Sequence, residues 1–500
     1  AGNGGNGVVA TTAQNAGRGG WGGWARGGAI YCAPNTNPLF VNCVIENNSA
    51  QGGNGGNGGD GVVDGGVANF GGNYTPPVRV NIDPERLGAE VATDELWKIW
   101  QWDYAMLIQA VFQSAASSLD TTNLTLGGGP YAGDYRWYSA YGGGVFIDAR
   151  SKAEFVECTI RGNSTAGGLS GQGGAQPPTG RLTEPLIPFE IPSYGGGVYC
   201  AADTVVTFRE CNFENNTASA DTGNFRIDPY LGYGGGIAGE STADVLFVDC
   251  NFVDNDADTG GAIYLAASEA RVIDTRMATN AAIRGAGLAG VGGQVRVVGC
   301  ELKNNMGIVD ANDVLGDGDV AMGAGLFFSS ATASIEDCNI AGNMCQGSGG
   351  GIYLRGENSS SVFNCLIRGN LATRDGGGIS TNLYATPTIA NCTFYANYAG
   401  DPNNEAGYGG GLFCGYYSDA QVIDCIFWGN GARLGTELAV ATGFELDPHC
   451  GTLHVSFCDI YAGPNDVFID KGCTLEYGDG ILHKDPLFIA GPLGSFYLST

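Results

Sequence analysis

Three stretches decide the fold: Cys338-Asn-Ile340-Ala-Gly-Asn343, Cys365-Leu-Ile367-Arg-Gly-Asn370 and Cys392-Thr-Phe394-Tyr-Ala-Asn397. Each is the hexapeptide Cys-x-apolar-x-x-Asn, and they follow one another at two steps of 27 residues. The same pattern runs back through Cys300/Leu302/Asn305, Cys250/Phe252/Asn255, Cys211/Phe213/Asn216 and Cys158/Ile160/Asn163 to Cys43/Ile45/Asn48. It runs forward to Cys425/Phe427/Asn430, and one copy, Thr275/Met277/Asn280, puts threonine at the cysteine. A fixed period of this size marks a solenoid.

Most copies follow a glycine run, as at Gly142, Gly195, Gly234, Gly323, Gly349, Gly376 and Gly409, and a short strand alternating with period two, such as Val198/Cys200 or Leu412/Cys414. Strands this short, at this spacing, pair with their own copies one turn later, which makes a parallel β-helix. Cysteine and Phe/Ile then point inward and stack about 4.8 Å from their copies. The asparagine is expected to sit in the left-handed backbone region and to bond to the next asparagine in a ladder. About eleven rungs at that spacing give a rod roughly 50 Å long.

Gly27-Gly-Ala-Ile30 and Gly260-Gly-Ala-Ile263, with Phe213-x-x-Asn216, Phe252-x-x-Asn255, Phe394-x-x-Asn397 and Phe427-x-x-Asn430, resemble the GGA[ILV] and FxxN repeats of polymorphic outer membrane proteins. The resemblance spans roughly residues 27–60 and 142–460. It implies the right-handed class of parallel β-helix and a secreted or surface-exposed passenger, often adhesive. No membrane β-barrel region follows in this sequence, so the resemblance does not extend to that mode of attachment. The fold class is therefore all-β, a right-handed parallel β-helix with one α-helical insertion.

Glycine supplies 86 of 500 residues, and the net charge is −28. Such an acidic chain is a poor partner for nucleic acid or an anionic membrane and suits a solvated extracellular surface. No run of 18 apolar residues occurs, so no transmembrane segment is expected.

Ten of the 16 cysteines share the inward ladder position, where cysteine acts as a small buried hydrophobe. An interval of 11 residues separates Cys32 from Cys43, Cys200 from Cys211 and Cys414 from Cys425. Each pair admits either a cross-core disulfide or two packed thiols, and Cys450 with Cys473 is a further disulfide candidate. Zinc is not expected, because no C-x-x-C occurs and there are 3 histidines.

The chain divides into first rungs at 1–60, an insertion at 61–141, the main solenoid at 142–463 and its C-terminal end at 464–500. Within the insertion, Thr93-Asp94-Glu95 opens a helix near 94–118 that is apolar nearly all round. Its Trp97, Trp100, Trp102 and Phe112 are candidates for packing along the solenoid or for an interface. Loops at 167–193, 218–232 and 400–407 swell at one corner and should decorate one side of the rod. Their aromatic tips, Tyr194, Tyr230, Tyr233 and Tyr408, either stack on sugars or pin their own loops. The repeat is already running at residue 1, and the closing Asp485-Pro-Leu-Phe488 is followed by little chain, so a longer precursor is expected.

Function is the harder reading. The preferred one is an extracellular structural or adhesive protein that self-associates into a fibre or surface layer. The alternatives are a monomeric adhesin for glycans or a host, and a polysaccharide lyase or hydrolase. The enzyme needs a base beside carboxylates, or a carboxylate pair. The 5 lysines are scattered, and Glu157, Glu210, Asp249, Asp337 and Asp424 recur as an outward stripe instead of a single pair. No catalytic residue is assigned. Asp313, Asp317 and Asp319, in a glycine-containing loop, are a candidate Ca²⁺ site without the EF-hand spacing.

Overall fold

The computed structural model describes residues 25–52, 139–167, 192–219, 231–309, 321–401, 407–442, 449–461, 466–491 and 494–497. The expected helix, with Trp97, Trp100, Trp102 and Phe112, lies outside the described residues, as do Tyr230, Asp313, Asp317 and Asp319.

Three long walls make the shaft. The first wall has 12 strands, from Ile30–Cys32 to Val467–Ile469. The second also has 12, from Leu39–Val41 to Thr474–Tyr477, and the third has 11, from Val44–Glu46 to Asp459–Ile460. A fourth ribbon of 10 short strands runs from Ser49–Gln51 to Gly431–Ala432. All these pairings are parallel; the described exception is the terminal hairpin of Ile489–Gly491 with Gly494–Tyr497. Register is one rung per coil, so Val198 pairs with Ile237, Ile237 with Ile263, and Ile263 with Leu288.

Stacking like on like fills the shaft. Phe155 stacks on Phe208 at 4.8 Å and Phe208 on Phe247 at 5.2 Å, while Phe213/Phe252 and Phe394/Phe427 each stack at 4.3 Å. These rings are fully buried, and each contributes about 1.5–3 kcal/mol through burial. The second wall alternates exposed and buried side chains, as in Lys152–Val156. The first wall is buried on both faces, as in Val145–Ile147 and Val198–Cys200, because a second apolar layer lies outside it.

Glycine is required where the chain enters the first wall. Gly195 has φ +65°, and a Cβ on Gly196 would lie 2.5 Å from the carbonyl oxygen of Gly235 in the next rung. No side chain fits between coils at that corner.

The asparagine expectation needs one correction. The left-handed residue is the one before the ladder asparagine: Asn47, Asn215, Asp254 and Asn304 have φ of 57°, 52°, 55° and 55°. The turn is completed there, which leaves the asparagine itself free to aim its amide into the shaft.

Candidate functional site

Inside the shaft, the amide of each ladder asparagine reaches the next. Nδ2 donates to the following Oδ1 at 3.0 Å from Asn163 to Asn216 to Asn255 to Asn280 to Asn305. The column continues at 2.9 Å through Asn343, Asn370 and Asn397 to Asn430. Each Nδ2 also donates to a carbonyl of the preceding rung, as Asn216 does to Ile160 at 2.8 Å. The buried amides are thus paired along the rod.

Cys158, Cys211, Cys250, Cys300, Cys338, Cys365, Cys392 and Cys425 form a parallel column of buried side chains. The sulfur of Cys425 accepts the Cys392 N–H at 3.4 Å, and Cys392 does the same for Cys365 at 3.5 Å. Threonine is tolerated at 275 because its hydroxyl accepts the Cys250 N–H at 3.3 Å.

Of the two alternatives for the cross-core pairs the structure has packed thiols: Cys32, Cys43, Cys200, Cys211, Cys414 and Cys425 are free. The physical reason is direction. Cys211 belongs to the corner column and its Sγ points to the carbonyls of Arg209 at 3.2 Å and Phe155 at 3.5 Å. Cys200 lies on the first wall between Ile147 and Gly239, and side chains such as Phe208 fill the shaft. Cys450 and Cys473 are joined by a disulfide near the C-terminal end. Burial pushes the thiols of Cys200, Cys345 and Cys414 up, the last two to about 12, so they stay protonated and unreactive.

Outside the first wall lies a second apolar column. An outer ribbon, Ala25–Arg26, Ala140–Tyr141, Ser193–Tyr194 and Gly232–Tyr233, folds over the wall's outward side chains. Tyr141, Tyr194 and Tyr233 stack at 5.2 and 4.9 Å, and Tyr408 packs against Phe413 and Phe468. Tyr194, Tyr233 and Tyr408 therefore hold their own turns against the wall. Tyr199 beneath them donates its hydroxyl to Glu240 at 2.6 Å. Burial and the Glu240 carboxylate hold its phenol well above the usual range.

Aromatic pairs five residues apart, Tyr141/Phe146 and Tyr408/Phe413, recur along this ribbon. At the equivalent pair stand Asp375 and Ser380, and their Oδ1 and Oγ have no hydrogen-bond partner although both residues are buried. Burial pushes the Asp375 carboxyl up to about 6.

A different aromatic stack faces outward where the first wall turns into the second. Tyr384 lies on Tyr417 at 4.6 Å, and Tyr417 on His449 at 4.5 Å, three successive rungs with near-parallel rings. The two tyrosines are half-buried and His449 is exposed. Both tyrosines have positive φ, 67° and 54°, an uncommon conformation for a bulky residue. The sequence carried a signal for them: Tyr384 and Tyr417 are 33 residues apart, the same step as Cys392 to Cys425.

Glu157, Glu210, Asp249, Asp337 and Asp424 are all exposed and all left-handed, with φ between 51° and 55°. They form the outer edge of the corner before each cysteine. Aspartate tolerates that conformation better than most residues. Among the described residues, no group of three or more His, Cys, Asp or Glu is placed to hold a metal ion.

The model of the family described as right handed beta helix region matches residues 143–315 and 308–476. No curated protein matches the sequence. Among solved structures, the periplasmic alginate epimerase AlgG is similar at 12% identity, covering 69% of this chain and 76% of that one, with a TM-score of 0.36. Two of its point mutants give 11% identity with the same coverage and TM-scores of 0.35 and 0.34. Likeness at this level carries no argument about activity.

Proposed function

The chain belongs to the right handed beta helix family, and we propose that it acts outside the cell as a structural or adhesive rod whose copies associate. The observation that carries this reading is the state of the first rung. Leu39–Val41 and Val44–Glu46 pair on one side among the described residues, leaving backbone groups on the other. Leu39, Val41 and Val44 are 62%, 49% and 60% exposed. An apolar edge strand without a partner strand among the described residues is a template for another strand. The acidic surface and the resemblance to polymorphic outer membrane protein repeats support an extracellular setting.

Sedimentation and electron microscopy of the intact protein test it. Wild type is expected to form assemblies, and the double variant Val41→Lys/Val44→Lys, which puts charge on the edge, is expected to stay single. A wild-type chain that remains monomeric at high concentration sinks the reading.

The outward stack of Tyr384, Tyr417 and His449 favours a second reading, in which the rod holds a glycan. The stacked rings cover one another's faces, so a sugar would meet their edges and the outer face at an end of the stack. Binding of neutral oligosaccharides that Tyr384→Ala abolishes, without any self-association, would select this reading over the first.

A further inference from the structure

The two ends of the rod carry the same ladders. In the first wall, the outward position that opens at Tyr31 runs through Phe146 and Tyr199 and reaches Phe413, Ala439 and Phe468. In the second wall, the inward position that opens at Phe40 runs through Phe155, Phe208 and Phe247 and reaches Val422, Val455 and Tyr477. Both ladders begin and end on an aromatic ring. Tyr31 rests on Phe146 at 5.5 Å, Phe40 on Phe155 at 4.6 Å, and Phe468 packs against Tyr408 at 5.5 Å.

Beyond these rings the strands stop. Among the described residues, Ile30–Cys32 and Leu39–Val41 have a neighbouring strand on one side, and so do Val467–Ile469 and Thr474–Tyr477 at the far end. Tyr31, Ile469 and Tyr477 are 48%, 46% and 51% exposed, whereas Phe155 and Phe208 in mid-rod are fully buried. A strand with one neighbour carries backbone donors and acceptors on its free side. The amide column takes no part at the C-terminal end. Glu437 closes it there, its Oε1 accepting the Asn430 N–H at 3.3 Å and its Oε2 the Asn430 side-chain amide. A joint between copies is therefore left to the walls and their rings.

We propose that the C-terminal coil of one copy docks on the N-terminal coil of the next. Thr474–Tyr477 then pairs with Leu39–Val41 and Val467–Ile469 with Ile30–Cys32, and both aromatic ladders run on across the joint, Tyr477 to Phe40 and Phe468 to Tyr31. This rests on the self-association proposed above and names its partner surface and its polarity. Direction selects the opposite end over a second N-terminal coil. The wall pairings are all parallel, and a copy moved along the axis offers its strands parallel and in the same order. Two N-terminal coils face to face would oppose strands of contrary direction, and a two-fold through one wall would set the other two on each other. A joint repeated along the axis does not close, so it builds a filament of one polarity. With 12 strands in the first wall, about 4.8 Å apart, the axial repeat is about 60 Å.

Intact chains blocked at one end test this. Val41→Lys/Val44→Lys charges the N-terminal coil and Ile469→Lys/Tyr477→Lys the C-terminal one, all at exposed side chains. In analytical ultracentrifugation each blocked chain alone should sediment as a monomer. Their equimolar mixture should give a dimer that grows no further, while wild type forms filaments with that repeat in electron micrographs. Should the C-terminal double variant fail to fold, Tyr477→Lys alone takes its place. A C-terminally blocked chain that still dimerises would put N-terminal coils face to face and overturn the proposal, with self-association itself intact. An equimolar mixture that stays monomeric overturns it as well, and a wild-type chain that stays single removes both readings.

Discussion

Asn280 Oδ1 accepts both the backbone N–H and the side-chain amide of Asn255 at 3.0 Å, so one buried oxygen satisfies two donors from the rung before. Asn280 in turn donates to the Phe252 carbonyl at 3.1 Å and to Asn305 at 3.0 Å. Cutting one asparagine from the column orphans groups on both neighbouring rungs. Asn280→Ala should cost ~1–3 kcal/mol for each buried group left unpaired, more than deletion of an ordinary surface amide. Urea denaturation, with the midpoint compared to that of wild type, checks this. An unchanged midpoint would mean that the column is not bearing the rung junction.

The cysteine column should accept threonine better than alanine. Cys392 takes the Cys365 N–H and lies 3.2 Å from the Ala390 carbonyl. Thr275 already performs both tasks, accepting from Cys250 and donating to Ile273 at 2.9 Å. Cys392→Thr is expected to cost less than Cys392→Ala, which loses the acceptor and leaves a void. Thermal melts of the two variants give the order directly.

Asp375 should make stability depend on pH. The residue is 9% exposed and its carboxyl is raised from 3.8 to about 6 by burial, so the folded chain takes up a proton between about 6 and 3.8 that the unfolded chain does not. Stability from this group is therefore greatest at the acid end and falls as pH rises through about 6. Asp375→Asn should stabilise the protein at neutral pH by up to ~3 kcal/mol and flatten that slope. Equilibrium unfolding at several pH values measures both; a steeper slope in the variant would refute the assignment.

The single disulfide should act locally. Cys450 and Cys473 close a loop with a sequence separation of 23 residues. Loop entropy predicts a loss of about 3 kcal/mol when they are replaced by serine. Limited proteolysis should then cut first near 449–477 while the rungs around Asn255 stay intact. Equal sensitivity throughout would show that the end is not an independent unit.

What was legible in the sequence follows from repetition. When every coil reuses the same backbone, a residue's rung position dictates its neighbour, so Cys338, Cys365 and Cys392 name their own stacking partners. Inward or outward direction also follows from period two, which is why Ile340 and Phe394 are legible as core. Departures from the repeat are not legible in this way. Whether Cys200 meets Cys211 depends on which side chains fill the shaft between two walls, and Tyr194 was as compatible with a sugar platform as with the outer core it joins.

By itself the sequence determined the solenoid, its rung register and its two ladders, because those depend on identical short-range geometry repeated at each coil. Only the tertiary structure decided the free thiols, the second apolar column outside the first wall, the stacked Tyr384 and Tyr417, and the closure of the amide column by Glu437. Each of these joins residues through space at a place where the repeat breaks, and there the meeting depends on how coils pack, which no period encodes.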